Sequence, residues 1–296
     1  MVRENVAAGQ FYPNDFGQLN KELEECFESE RGPGALPVSR KDTKIHTILV
    51  PHAGYHFSGP CAAWAYKEVG ESKLPKTYVL LGPNHHGMGT GLSIEDWRTP
   101  FGLVKTEKNV IRDLKDTTDL QIKEQHHLAE HALEVQLPFL QFVNKDRMQE
   151  IRIVPITISR DIDFKKLGKQ LFEYSKNKDF VFIISSDFTH YGPNYGYVPF
   201  ASDIPKNINE MDQKALELIM NYDTEGFKNY INKTGITICG YMPILLWLAM
   251  MENYDLPDEE DNTIEKPVPH LLMHYTSGDV IGDYKNSVSY ASILFK

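Results

Sequence analysis

The chain has 296 residues, 41% of them hydrophobic and 24% charged, which is the make-up of a folded globular protein rather than a largely disordered one. Thirty-one basic against 41 acidic residues leave a formal net charge of -10, and without a Lys/Arg cluster that could track phosphates the expectation is no nucleic-acid partner. The longest apolar run, 242–251, is about half of the roughly 20 residues a membrane helix needs, and the start MVRENVAAGQFYP lacks the apolar segment of a secretion signal, so a cytoplasmic protein with no membrane span is expected.

Asp15 is placed to cap a helix with Gln18 at the capping-box position, and Phe16, Leu19, Leu23 and Phe27 fall on one face of it. Cys26 shares that stripe and reads as a small core hydrophobe. A strand over 45–50 ends in Pro51-His52-Ala53-Gly54-Tyr55. Ser58 and Pro60 then read as the cap and first turn of a helix to about residue 69, with Cys61 packed among alanines. The next strand, 78–81, ends in Gly82-Pro83-Asn84-His85-His86-Gly87. A strand over 151–158 and a lysine-studded helix near 164–174 lead to the apolar strand 180–184, which ends in Ser185-Ser186-Asp187-Phe188-Thr189-His190-Tyr191. Helices follow near 209–220 and 224–231. Cys239-Gly240 precedes an apolar helix over 243–250, 258–265 reads as an acidic solvated loop, and strands over 271–276 and 288–295 close the chain without an intervening helix. Alternating helices and apolar strands predict a single α/β domain over residues 1–296, its mostly parallel or mixed sheet covered by helices on both faces. Three cysteines without a secretory signal argue against a disulfide framework.

Three strands thus end in polar clusters: His52, then Asn84-His85-His86, then Asp187 and His190. Ligands of open α/β sheets bind beyond the carboxyl ends of the strands, so these groups have a physical reason to converge. Imidazoles and a thiolate suit zinc, iron or copper, whereas calcium and magnesium want oxygen. His52 and one of His85 and His86 would supply nitrogens, and Cys239, ahead of a helix N-terminus, a sulfur. Asp187 and His190 would be outer ligands, or an orienting carboxylate and a general acid/base. Tyr55, Tyr191 and Tyr241 sit near these residues in sequence and are candidates for the wall of a pocket taking a phenolic ligand.

His127-Leu128-Ala129-Glu130-His131 matches H-x-x-E-H, the inverted zinc-peptidase signature. A helix through both histidines would meet Pro138 within two turns, and no third ligand stands out. Glu130 and His131 are therefore assigned to the wall of the same pocket. Phosphate-loop, dinucleotide-binding, nucleophile-elbow and C-x-x-C motifs are absent.

Val6-Ala7-Ala8-Gly9-Gln10-Phe11-Tyr12-Pro13, Pro51-His52-Ala53-Gly54-Tyr55, Gly82-Pro83-Asn84-His85-His86, the stretch from Glu130-His131 to Gln136-Leu137-Pro138, Ser185-Ser186-Asp187-Phe188-Thr189-His190 and Thr237-Ile238-Cys239-Gly240 occur in that order. Together they resemble the Memo family, whose members are called mediator of cell motility or AmmeMemoRadiSam system protein B. The resemblance implies a fold similar to class III extradiol dioxygenases, with metal ligands at His52, His85 and Cys239 and further pocket positions at Asp187 and His190. A cysteine in place of the dioxygenases' third, carboxylate ligand speaks against simple ring cleavage and for a redox-active iron or copper ion over zinc. Three readings follow. The first is a metal-binding redox protein, related to an oxidoreductase acting on a small phenolic substrate. The second is a signalling adaptor using the ancestral pocket for a phosphotyrosine peptide. The third is a zinc hydrolase built on His127, Glu130 and His131.

Overall fold

The computed structural model describes residues 1–255 and 265–296, and in it the apolar runs of the sequence become the middle of one mixed sheet. The acidic loop expected at 258–265 lies, apart from Glu265, outside the described residues. In chain order the strands are β1 (Val2–Arg3), β2 (Thr47–Val50), β3 (Thr77–Pro83), β4 (Gly91–Leu92), β5 (Asp96–Thr99), β6 (Gly102–Thr106), β7 (Arg152–Ile158), β8 (Phe180–Ser185), β9 (His190–Tyr191), β10 (Pro269–Thr276) and β11 (Ser287–Phe295). Across the sheet the order is β1-β5-β6-β7-β3-β8-β2-β11-β10, with β4 beside β7 and β9 beside β11. The run β6-β7-β3-β8-β2 is parallel. Beyond it, β11 pairs antiparallel with β2 and β10 with β11.

The helices are α1 (Phe16–Glu28), α2 (Tyr55–Glu71), α3 (Lys108–Thr117), α4 (Gln136–Val143), α5 (Phe164–Ser175), α6 (Ile204–Met220), α7 (Thr224–Thr234), α8 (Tyr241–Met251) and α9 (Ser277–Ile281). The two-residue period of the strands divides the core. Ile48, Val50, Tyr78, Leu80, Val181 and Ile183 pack with α1, α2 and α4. Their neighbours Leu49, Val79, Leu81, Phe182 and Ile184 pack on the other face with α3 and α5 to α8. Strands covered on both faces need apolar residues at successive positions, which is why they lack alternation. Asp15, Asp163 and Asp223 start α1, α5 and α7, each accepting a backbone N–H of the first turn, for about 1 kcal/mol apiece. In α8 every residue from Pro243 to Met251 is buried, so this apolar run is a core helix. Among the described residues no helix is long and apolar enough to cross a membrane.

Four local expectations need correction. Phe16 is 59% exposed, because it opens α1 ahead of the buried stripe and meets Phe101 edge-on. Helix α2 starts at Tyr55, not at Ser58, since the Tyr55 N–H is already satisfied by the Phe11 carbonyl at 2.8 Å and Gly54 takes the cap position. Pro60 consequently lies inside the helix. The short helix α9, closed by a capping box at Thr276 and Asp279, separates the two final strands.

Candidate metal centre

The carboxyl ends of β2, β3 and β8 lie side by side, with Val50 opposite Ser185 and Leu81 opposite Ile184. Each chain segment carries its polar cluster off the same edge of the sheet, as the topology requires. Two further segments close over it: the turn at Glu130-His131 ahead of α4, and Cys239 just before the N-terminus of α8. Gly240 lets Cys239 come this near, because a Cβ there would stand 2.6 Å from Ser186 Oγ.

His52 is buried and held at three points. Its backbone N–H donates to Asp187 Oδ1 at 2.8 Å, Nδ1 pairs with Ser185 Oγ at 2.9 Å, and Nε2 faces Cys239 Sγ at 3.0 Å. Cys239 Sγ also accepts the Asp187 N–H at 3.2 Å. Glu130, with no exposure, organises the other two imidazoles. Its Oε1 is 2.9 Å from His85 Nδ1 and 3.4 Å from His131 Nδ1, and its carboxylate accepts the N–H groups of His85 and Ala132. The rings of His85 and His131 stack at 4.7 Å, Phe11 covers His131 at 4.3 Å, and His52 meets both histidines edge-on.

Two triads of donors result, each with its ligand atoms within 4.8 Å of one another: His52, His85 and His131, and His52, Asp187 and Cys239. His52 belongs to both. In His52 and His85 Nδ1 is hydrogen-bonded to Ser185 Oγ and Glu130 Oε1 and Nε2 is the nitrogen left over, the usual condition of metal-ligating imidazoles, while His131 Nδ1 lies 3.4 Å from Glu130 Oε1. Burial and then the neighbouring His85 press the His52 pKa well below its usual value, and burial and then His52 bring His131 down to about 3. Both rings are thus neutral bases at pH 7. Burial acts against charge on His85 and Glu130 too, but their mutual hydrogen bond outweighs it, raising His85 and lowering Glu130 to about 2. Burial, then Asp187, pushes the Cys239 thiol well up, and burial raises Asp187 against the pull of His190.

Of the residues picked out from sequence, His52, His85, Glu130, His131, Asp187 and Cys239 are together. His190 sits beside them on β9, its Nδ1 near the carbonyls of Phe188 and Thr237 at 2.9 and 3.0 Å. Of the paired histidines, both exposed, His85 is the one whose ring reaches Glu130 and His131. Tyr55 and Tyr191 are not pocket walls. Tyr55 donates to the Val135 carbonyl and packs on Phe139 in the core. Tyr191 alternates away from His190 along β9, donates to the Phe200 carbonyl and stacks on Phe200. The zinc-peptidase pattern does not form either. His127 and His131 do not share a helix, since α4 starts only at Gln136, and His127 is buried with Nε2 at the Gly91 carbonyl, 3.0 Å away. Ser185, Gln136, Phe11 and Arg3 support the site and were not singled out by sequence reasoning. Ser185, Gln136 and Phe11 lie within the motifs and Arg3 outside them, and only tertiary contact shows what they touch.

The sequence pattern of the Memo-like protein family matches residues 3–294. A MEMO1 family protein of Ignicoccus hospitalis is 36% identical over 100% of this chain and 99% of its own length. One of Sulfurisphaera tokodaii is 33% identical with the same coverage. Among solved structures, that of the uncharacterized protein JW3007 from Escherichia coli K12 covers 86% of this chain and 100% of its own with a TM-score of 0.50; at 15% identity this likeness concerns the fold alone. The six ordered motifs, the sheet edge on which they meet and relatives aligned from end to end lead to one conclusion: the chain belongs to the Memo family.

Proposed function

We propose that the protein binds an iron or copper ion between the ends of β2, β3 and β8 and serves a redox role. The observation that carries this reading is the anchoring of His52 and His85 through Nδ1, by Ser185 and Glu130, with His131 and the Cys239 sulfur beside them. His52 and His85 hold the ion, with Cys239 and His131 as further donors. Mixed imidazole and thiol donors favour borderline and soft metals over magnesium or calcium. A bound iron or copper ion would supply one-electron chemistry. Asp187 keeps the His52 loop in place through its N–H, and His190, with Nδ1 turned to two carbonyls, has Nε2 as the atom that takes or gives a proton at the edge of the site.

The test is elemental mass spectrometry of protein prepared under anaerobic, reducing conditions. Near-stoichiometric iron or copper in the wild type, lost in His52→Ala and sharply reduced in Cys239→Ser, is the expected result. A wild-type protein that carries neither metal and takes up neither on titration would overturn the proposal.

A further inference from the structure

We infer that Ser185, its own proton claimed by the Ala132 carbonyl, is a positioning residue that dictates which nitrogen of His52 bears its proton, so that Nε2 is presented bare to a metal; the inference rests on the metal-binding reading above. The assignment follows from counting protons. A serine hydroxyl has one proton to give and two lone pairs. Ser185 Oγ lies 2.6 Å from the Ala132 carbonyl, which only accepts, so the hydroxyl proton points there. The side-chain nitrogen of Gln136 is 2.8 Å from the same Oγ and 2.9 Å from the Pro51 carbonyl. That carbonyl only accepts and so requires an N–H, which fixes the orientation of the amide; the Tyr66 hydroxyl, 3.0 Å from Gln136 Oε1, can donate to the oxygen at the other end. Gln136 therefore donates to Ser185 and fills one lone pair. One remains, and His52 Nδ1 is 2.9 Å away. It must be an N–H.

The result is independent of the charge on the ring, because Nδ1 is protonated in the neutral form drawn here and in the imidazolium alike. Gln136, Ser185, Tyr66 and His52 are each no more than 2% exposed, so water does not compete for these bonds. With the Ser185 hydroxyl removed, no acceptor holds the imidazole proton on Nδ1, and it can move to Nε2 and block the ligand position. This gives the first serine of Ser185-Ser186-Asp187 a task, with Gln136 filling the other lone pair of its oxygen.

The experiment uses the full chain, stripped of metal and labelled with ¹⁵N at histidine. Long-range proton–nitrogen spectra distinguish protonated from bare ring nitrogens, and a His52→Asn sample assigns the signals. The wild type is expected to show Nδ1 protonated and Nε2 bare at His52. Ser185→Ala is expected to give mixed tautomers and to weaken binding of added ferrous ion by about 10- to 100-fold, while Ser185→Thr, which keeps the hydroxyl, retains both properties. Bare Nδ1 in the wild type overturns the inference by itself, whether or not any variant folds. So does a folded Ser185→Ala protein with wild-type tautomer and affinity. A wild type with the expected tautomer that binds neither ferrous nor copper ion overturns the metal-binding reading and leaves the proton assignment standing.

Discussion

Cys239 Sγ stands 3.0 Å from Nε2 of His52, across 187 positions of sequence. With the imidazole proton on Nδ1, the contact is a thiol donating into the Nε2 lone pair, and burial together with Asp187 keeps that thiol protonated. A metal ion that takes both atoms must displace the proton. Calorimetry in two buffers of different ionisation enthalpy is expected to show proton release on binding, and affinity to rise about tenfold per pH unit for each proton lost. Cys239→Ser should bind more weakly. Binding without proton release would remove the thiolate from the ligand set.

Glu130 serves two imidazoles at once, so it is the most sensitive of the residues behind the ligands. In Glu130→Gln one carboxylate oxygen becomes a donor, so the side chain loses either the His85 Nδ1 and Ala132 N–H bonds of Oε1 or the His85 backbone N–H bond of Oε2. Metal affinity, read by competition with a chelator, should fall about 10- to 100-fold. Unchanged affinity would mean that His85 and His131 orient themselves.

A stability test lies next to the site. Arg3 and Glu134 form an ion pair at 2.5 Å with side chains 1% and 0% exposed. Glu134 also accepts the N–H groups of Val6 and Ala7 and the Tyr12 hydroxyl, while Arg3 donates to the carbonyls of His127 and Glu130. Leaving one buried charge unpaired costs about 3–5 kcal/mol. Glu134→Gln should lower the stability measured by urea unfolding by an amount of that order. Because Phe11 rests on His131, loosening this N-terminal segment should weaken metal binding as well.

The pH dependence of folding has a definite sign. Burial holds the His127 pKa near 3 in the folded chain, against about 6.5 in the unfolded one. Between these values the unfolded state binds the extra proton, so stability is full above pH 6.5 and is lost as the pH falls toward 3. Glu130, brought down to about 2, adds a loss that begins below pH 4.5 and runs through 2. Denaturant midpoints of metal-free protein should therefore drop between pH 7.5 and 5, and His127→Gln should flatten the upper part of that slope. A midpoint constant over this range would contradict a buried neutral His127.

How far the site is legible in sequence depends on which physical rule is asked. That loops at the ends of parallel strands meet is a rule of topology, and it suffices to gather His52, His85 and Asp187 before any coordinates. Direction is harder. Tyr55 and Tyr191 adjoin site residues along the chain, yet a helix start and a strand's alternation turn both away. The hairpin of β5 and β6, and helices α3 and α4, escape prediction. β6 is short and has one face open to solvent, and all eight residues of α4 are buried, so no amphipathic stripe marks that helix. Ser185 reads as the polar end of an apolar strand; only the meeting of Ala132, Gln136 and His52 around its oxygen reveals a purpose.

The place of β2 between β8 and β11 also sets an order in time. When His52 is synthesised, neither strand that will flank its own exists, and Cys239 is still to come. The binding site therefore cannot be assembled on the ribosome from the first third of the chain, however many of its histidines have emerged. Residues 180–185 must arrive before β2 gains its parallel neighbour, and 287–295 before its other edge is sealed. Contacts this distant in sequence make for slow folding. They also mean that ion capture is an event of the nearly finished protein, since a nascent fragment offers single imidazoles but no enclosed set of donors.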